Sequence, residues 1–166
     1  STLFPYTTLF RSIIEVLAFA NQRLAEMSDG RFELTRTTEE AGSARRKDRG
    51  LGLAVVDHRA GGSERDPRTL SGGESFYVSL SLALALADVV TAEAGGIALE
   101  TLFIDEGFGS LDPEALDKVM TVLSRLQAGG RTVGIVSHVE ELKRQVPDRI
   151  EVRRTAVGST LAVRAG

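Results

Sequence analysis

Four short clusters in this sequence carry residue types that could do chemistry. Leu70-Ser71-Gly72-Gly73-Glu74 sets two glycines and a hydroxyl directly before an apolar, helix-forming stretch. Glycines let a backbone approach a ligand closely, and a helix start offers unpaired N–H donors and the positive end of its dipole, which suits phosphate. Taken alone, the same string is a glycine turn before a helix. Leu102-Phe103-Ile104-Asp105-Glu106 ends an apolar run in two adjacent acids. At the C-terminal end of a strand in an open α/β sheet, where ligands bind, such acids could serve a ligand or cap the next helix. Successive side chains on an extended strand point opposite ways, so Asp105 and Glu106 are expected to take different roles. Ser110-Leu111-Asp112 follows at once, with Asp112 suited to cap a helix that begins at Pro113. Ser137-His138 places one imidazole after the apolar run Val133 to Val136; a lone histidine is also a common structural residue. His58 has no motif around it and receives no role.

The elements that must position these groups alternate along the chain. Residues 13–28 read as a helix: Ile13, Leu17, Ala20, Leu24 and Met27 follow the four-and-three spacing of a coiled-coil seam, which an amphipathic helix serves equally well over two heptads. Gly30 suits the position just past its end. Arg31 to Arg36 and Leu51 to Asp57 read as two strands of a hairpin. Its long polar loop carries Arg45, Arg46, Lys47 and Arg49, either a solvated surface or a phosphate-backbone contact. Gly61-Gly62-Ser63 is expected to be loop. Ser75 to Val90 is apolar and Ala/Leu-rich, as a buried helix is, and 91–98 a loop. Leu102 to Ile104 and Thr132 to Val136 read as buried strands, with a helix from Pro113 to Gly129-Gly130 between them. Ser137 and Glu140 have capping-box spacing for a short helix through about Arg144. Residues 149–154 and 159–164 alternate as a closing hairpin around Gly158-Ser159. Strands alternating with helices predict an α/β fold with a largely parallel sheet.

Composition narrows the classes. The chain has 166 residues, 42% of them hydrophobic, enough for one domain with a core. Its formal net charge is −3, so no global basic field argues for nucleic acid. Cysteines are absent, which excludes disulfides and thiolate metal sites and fits a cytosolic protein. No apolar run is expected to reach the roughly 18–20 residues of a membrane span. Thr2 to Ser12 resembles the translation of a common sequencing-library adapter; residues 1–12 are therefore set aside as an expected artefact, with natural sequence expected upstream. The alternative is a genuine apolar segment.

As an intact string opening a helix, LSGGE resembles the signature motif of ABC-type ATPases. Leu102 to Glu106 resembles a Walker B strand, Ser110-Leu111-Asp112 a D-loop, and His138 a switch histidine. Transporter domains and SMC heads differ in the loop after the acids. The insert Gly107-Phe108-Gly109 is similar to the SbcC family, as is the stretch Ala20 to Ser28 leading into Gly30-Arg31-Phe32-Glu33-Leu34. The likeness runs from about Ile13 to Arg164.

That resemblance implies the C-terminal lobe of an ABC-type (P-loop NTPase) head over residues 29–166, preceded by the end of a coiled-coil helix at 13–28. It implies ATP and Mg²⁺ as ligands. Asp105 would support the metal, often through water. Glu106 would orient or deprotonate the attacking water, and His138 would contact the γ-phosphate. Leu70, Ser71, Gly72, Gly73 and Glu74 would contact nucleotide held by an opposite head, with Ser110 and Asp112 at the same interface. Expected partners are an N-terminal half bearing the phosphate loop, a second head, an SbcD-like nuclease subunit and DNA, with no membrane, in a cytoplasmic, nucleoid-associated complex. The pattern GxxxxGK[ST] is missing: Lys47, Lys118 and Lys143 do not follow a glycine. The chain alone is thus expected to be inactive. No dense His/Asp cluster suggests nuclease chemistry. The alternatives are a RecN- or SMC-like head, or a non-catalytic truncated interaction module.

Overall fold

The computed structural model describes residues 4–37, 52–93 and 99–165. The basic cluster Arg45 to Arg49 lies outside these residues. Helix α1 runs Phe4–Ser28, so it continues into the stretch set aside as adapter-like. Its expected stripe faces this chain's own core: Ala20, Leu24 and Met27 are buried, Ile13 and Leu17 half-buried. The Ser28 hydroxyl closes the helix by donating to the Leu24 carbonyl at 2.6 Å and accepting from Phe32 N at 3.1 Å. The left-handed step begins one residue earlier than expected, at Asp29 (φ 51°), and continues through Gly30 (φ 69°), whose N–H donates to Ala25 O. Aspartate tolerates that region better than most residues.

Strands β1 (Phe32–Arg36), β2 (Leu53–Asp57) and β3 (Ser63–Arg65) form an antiparallel sheet in that order. Phe32 pairs with Asp57, as the predicted hairpin requires. Strand β3 takes in Ser63, the last residue of the expected Gly61-Gly62-Ser63 loop; Gly61 and Gly62, both at φ 74°, make the turn before it.

Helix α2 (Gly72–Glu93) begins at the first glycine of the LSGGE string and runs past the expected end at Val90. By length and composition its segment Gly72–Ala92 could cross a membrane, which corrects the expectation that no segment would. Its packing accounts for the composition. Leu80 and Leu84 enter a core with Met27, Ile104, Phe108, Leu116, Val119, Val122, Leu123 and Leu142, while Val78 and Ala85 enter a second with Ala20, Leu24, Phe32, Leu34 and Val55. A helix that feeds two cores is apolar around most of its girth.

Strands β4 (Thr101–Asp105) and β5 (Thr132–Val136) form the parallel pair, joined by helix α3 (Pro113–Ala128). Parallelism is confined to this pair among the described strands. Asp112 caps α3, its carboxylate accepting from Ala115 N at 2.8 Å. These strands are not buried on both faces as expected. Ile104 is 8% exposed, but Phe103 is 74% and Val136 52%. Helices of this chain cover one face of the pair, and the other is open.

Helix α4 (Glu140–Gln145) starts from Val139 rather than from a capping box. Ser137 lies two residues too early, and its hydroxyl accepts from Val139 N at 3.1 Å. Glu140 pairs with Lys143 instead. Strands β6 (Arg149–Thr155) and β7 (Gly158–Arg164) close the chain as a hairpin. Its turn falls at Ala156 and Val157, just before the expected Gly158-Ser159.

Candidate functional site

The LSGGE string is a reciprocal helix cap. Ser71 N donates to Glu74 Oε2 at 2.9 Å, and Glu74 N donates to Ser71 Oγ at 3.3 Å. This is the Ser-x-x-Glu box, whose two side chains satisfy two orphan donors at once. Two consequences follow for a ligand. The Ser71 hydroxyl uses a lone pair in the cap, so its proton remains free to donate. The N–H groups of Gly72 and Gly73 stand in the first turn, where a helix supplies no acceptor. Leu70, half-buried, ends the turn Pro67–Thr69 and leads into the cap.

The two glycines are needed inside the molecule as well. A Cβ at Gly73 would sit 3.1 Å from Ser110 O, and one at Gly72 3.1 Å from Ser110 Cβ. The start of α2 therefore lies directly on the Ser110-Leu111-Asp112 loop. Ser110 is fixed in turn, its hydroxyl donating to Gly107 O at 2.8 Å.

Glu106 sits where β4 stops. Its N–H donates to Val136 O at 3.0 Å, and its φ is 63°, a left-handed value uncommon outside glycine. Glu106 has therefore left the extended backbone that ends at Asp105, so strand alternation, the expected reason, does not set how the two acids point. Gly107 (φ 97°) continues the turn, and a Cβ there would lie 2.4 Å from the Phe76 ring. Phe76 also packs against the buried Phe108, with ring centroids 5.0 Å apart. The insert Gly107-Phe108-Gly109 is therefore a socket: one glycine admits Phe76, and the phenylalanine anchors the loop.

His138 Nδ1 lies 3.1 Å from Glu106 Oε2, and its Nε2 lies 3.8 Å from where a Gly109 Cβ would be. Contacts so connect Ser71–Glu74, Gly107–Ser110, Glu106 and His138 along one edge. Asp105 is exposed at the end of β4, opposite Val136. Among the described residues no hydrogen bond joins Ser71 to Asp105, Glu106 or His138. His58 pairs with Glu33 at 3.0 Å, away from this edge.

Behind Glu74 stands a charged cluster that motif reading missed. Arg31 reaches Glu74 Oε1 at 3.2 Å and grips Asp57 through Nε and Nη2, the latter at 2.8 Å. Arg65 adds a 3.3 Å contact to Asp57 and a 3.8 Å contact to Glu74. Asp57 is buried, and the Arg31 guanidinium holds its carboxyl down at about 2. No short pattern marks these residues, because they come together from the link before β1, from β2, from β3 and from α2.

For magnesium the donor chemistry fits. Among the described residues no group of three or more His, Asp or Glu could hold a metal alone. Magnesium is commonly bound by one or two carboxylates with substrate phosphates and water, and Asp105 offers such a carboxylate.

The fold matches solved ATPase heads. A chain from work on ATP-driven dimerization and DNA-stimulated activation of SMC ATPases aligns with a TM-score of 0.70 at 13% identity, covering 95% of this chain and 88% of that one. The SMC head domain from Thermotoga maritima aligns at 0.58 and 17% identity, covering 90% of this chain and 47% of that one. These likenesses show the fold, which is shared with SMC head domains. Residues 42–125 match the family model described as SbcC/RAD50-like, Walker B motif, and the chain belongs to that family. Among relatives, the SbcC protein of the SbcCD nuclease from Vibrio cholerae is 56% identical over 151 residues, covering 89% of this chain. Its counterpart from Treponema pallidum is 46% identical over 156 residues, covering 94%. The chain spans 14% and 15% of those two proteins' lengths.

Proposed function

We propose that this chain is the Walker B half of an ATP-hydrolysing head in an SbcC-like protein of a DNA-end-processing nuclease complex, cytoplasmic and working on nucleoid DNA. The observation that carries the reading is the shared edge. A capped LSGGE turn packs on the Ser110 loop, which continues through Gly107 to the Glu106–His138 pair. The signature turn offers a hydroxyl proton and two free N–H groups to the terminal phosphate of a nucleotide held by an opposite head. Glu106 orients and deprotonates the attacking water, and His138 donates to the γ-phosphate. Asp105 would hold Mg²⁺ together with phosphate oxygens and water, and the ion would neutralise charge on those oxygens.

The open faces support an N-terminal partner half. Parallel sheets are almost always covered on both sides, yet Phe103 and Val136 lie bare on the parallel pair. The closing hairpin adds Ile150, Val152, Leu161 and Val163, each between 66% and 77% exposed. Register places these four on one face of β6–β7. A half-head carrying the phosphate loop would cover such surfaces and complete the nucleotide site. Without it, the chain has no phosphate cradle and does not hydrolyse ATP. The assembly is completed by a second head and by a nuclease partner similar to SbcD.

Co-expression of this chain with an SbcC-type N-terminal half, followed by an ATP turnover assay, tests the reading. Turnover above that half alone, abolished by Glu106→Gln, is expected. Turnover no greater than that half alone, or indifferent to Glu106→Gln, overturns it.

A further inference from the structure

Glu74 is held twice. One carboxylate oxygen, Oε2, closes the helix cap by accepting from Ser71 N, and the other, Oε1, lies 3.2 Å from Arg31 Nη2. Arg31 is itself immobilised. Its N–H donates to Ser28 O at 3.0 Å, and its carbonyl accepts from His58 N at 2.9 Å. Its guanidinium rests on the buried Asp57 through two nitrogens and lies over the Phe32 ring, 4.4 Å from the centroid. Arg65 bridges the same two carboxylates and donates to Thr69 O at 2.9 Å, in the turn leading into Leu70. A cap residue free in solvent would sample several rotamers. Here a fixed cation removes that freedom.

We infer that Arg31, backed by Asp57 and Arg65, is a positioning residue for the signature turn, acting through Glu74. The inference rests on the reading that the signature turn contacts nucleotide. Arg31 stands three residues past the end of α1 and its N–H is bonded to Ser28 O, so that helix end is tied by one side chain to the turn proposed to meet the phosphate. Lysine cannot replace it, because a single ammonium does not span Asp57 through two nitrogens and reach Glu74 as well.

The test is a double-mutant cycle in the intact protein, pairing Arg31→Ala with Glu74→Gln. Glutamine keeps a cap acceptor but loses the charge. ATP-driven head association and steady-state turnover are measured beside Mg-ATP affinity of the single head. Arg31→Ala is expected to raise the ATP concentration for half-maximal association about tenfold and lower turnover comparably, with single-head affinity unchanged. In the Glu74→Gln background it should add less than about twofold. Additive losses, or association unchanged by Arg31→Ala, overturn the inference, since a general folding defect would add to Glu74→Gln. If Arg31→Ala is insoluble, Arg31→Lys runs the same cycle against the same criteria. Ser71→Arg is the control that separates the two readings. If it leaves association and turnover intact, the signature reading falls, and the inference with it. If it abolishes them while the cycle is additive, the inference alone falls.

Discussion

The two ends of the candidate edge are built differently. At the signature end, side chains do the positioning: Glu74 is fixed by Ser71 and Arg31, and Arg31 by a buried aspartate. At the acid end, the backbone does it. Glu106 and His138 are 53% and 79% exposed and contact each other, while the turn beneath them is locked by Gly107 against Phe76 and by the buried Phe108. On the proposed function, the difference separates what this chain holds ready from what is completed elsewhere. The turn proposed to contact phosphate is preorganised within the chain. The acid and imidazole have their main chain set but their side chains open, consistent with the proposed completion of the site by another segment and by nucleotide.

The largest effect should fall at the acid end. Glu106→Gln in the assembled head is expected to lower ATP turnover by about 10³-fold, in the range typical of losing a general base, with Mg-ATP binding retained. Single-turnover assays beside equilibrium binding would check it. A loss below tenfold would move the chemistry away from this corner. Next comes the backbone lock. Gly107→Ala places a Cβ 2.4 Å from Phe76 at φ 97°, combining left-handed strain with overpacking. Together these should cost about 3 kcal/mol. Gly61→Ala, on the signature side, has a similar positive φ but open space, and should cost about 1 kcal/mol. Urea unfolding of the chain co-purified with its N-terminal half would compare them. Equal costs would mean that Phe76 yields, and that the lock is weaker than its geometry.

Much of this edge was legible because its motifs are local. LSGGE, the paired acids, Asp112-Pro113 and Ser137-His138 each lie within a few residues, and turns and helix starts depend on such neighbours. The capping box shows the limit of that reading. The Ser-x-x-Glu spacing occurs at Ser71–Glu74 and at Ser137–Glu140. It forms at the first, where the helix begins one residue after the serine, and not at the second, where Val139 precedes the helix. Spacing alone does not say where a helix starts. The left-handed Glu106 was hidden behind a strand pattern, although Gly107 was a hint. The Arg31–Asp57–Arg65 cluster had no sequence signal, because tertiary packing assembles it from three separate stretches: the link before β1, β2 and β3. That Phe103 is bare had no local pattern either: an apolar run reads the same whether its cover lies in this segment or elsewhere.

Acid should discriminate the two ends further. The Asp57 carboxyl lies at about 2, below its ordinary 3.8, chiefly because Arg31 donates to it. A depressed folded value contributes stability that is full above pH 3.8 and is lost as pH falls toward about 2. Stability of the assembled head should therefore drop through that window. Asp57→Asn should be less stable than the natural chain at neutral pH yet lose less between pH 4 and 2, so the two curves converge. Urea titrations at pH 7, 4 and 2.5 would read this; parallel curves would mean that Arg31 does not hold the carboxylate in solution.

The smallest effect belongs to Lys118, which resembles the Arg31 cluster on paper. Its ammonium lies 2.6 Å from Asp29 and 2.7 Å from Glu114, tying the end of α1 to the first turn of α3, and both carboxylates push its pKa up. Unlike Asp57, these carboxylates are open to water: Asp29 is 53% exposed and Glu114 80%. Solvent screening and the entropy of holding a long side chain leave such pairs worth about 0–1 kcal/mol. Lys118→Met should therefore lower the melting temperature by only a few degrees, about 2–4 °C or less. The deficit should fade in 1 M salt, where the Debye length is about 3 Å. Arg31→Ala should keep most of its effect under the same salt, because its partner Asp57 is shielded from ions. If both variants respond to salt alike, burial is not what separates a positioning cluster from a surface tether, and the contrast between the two ends would rest on geometry alone.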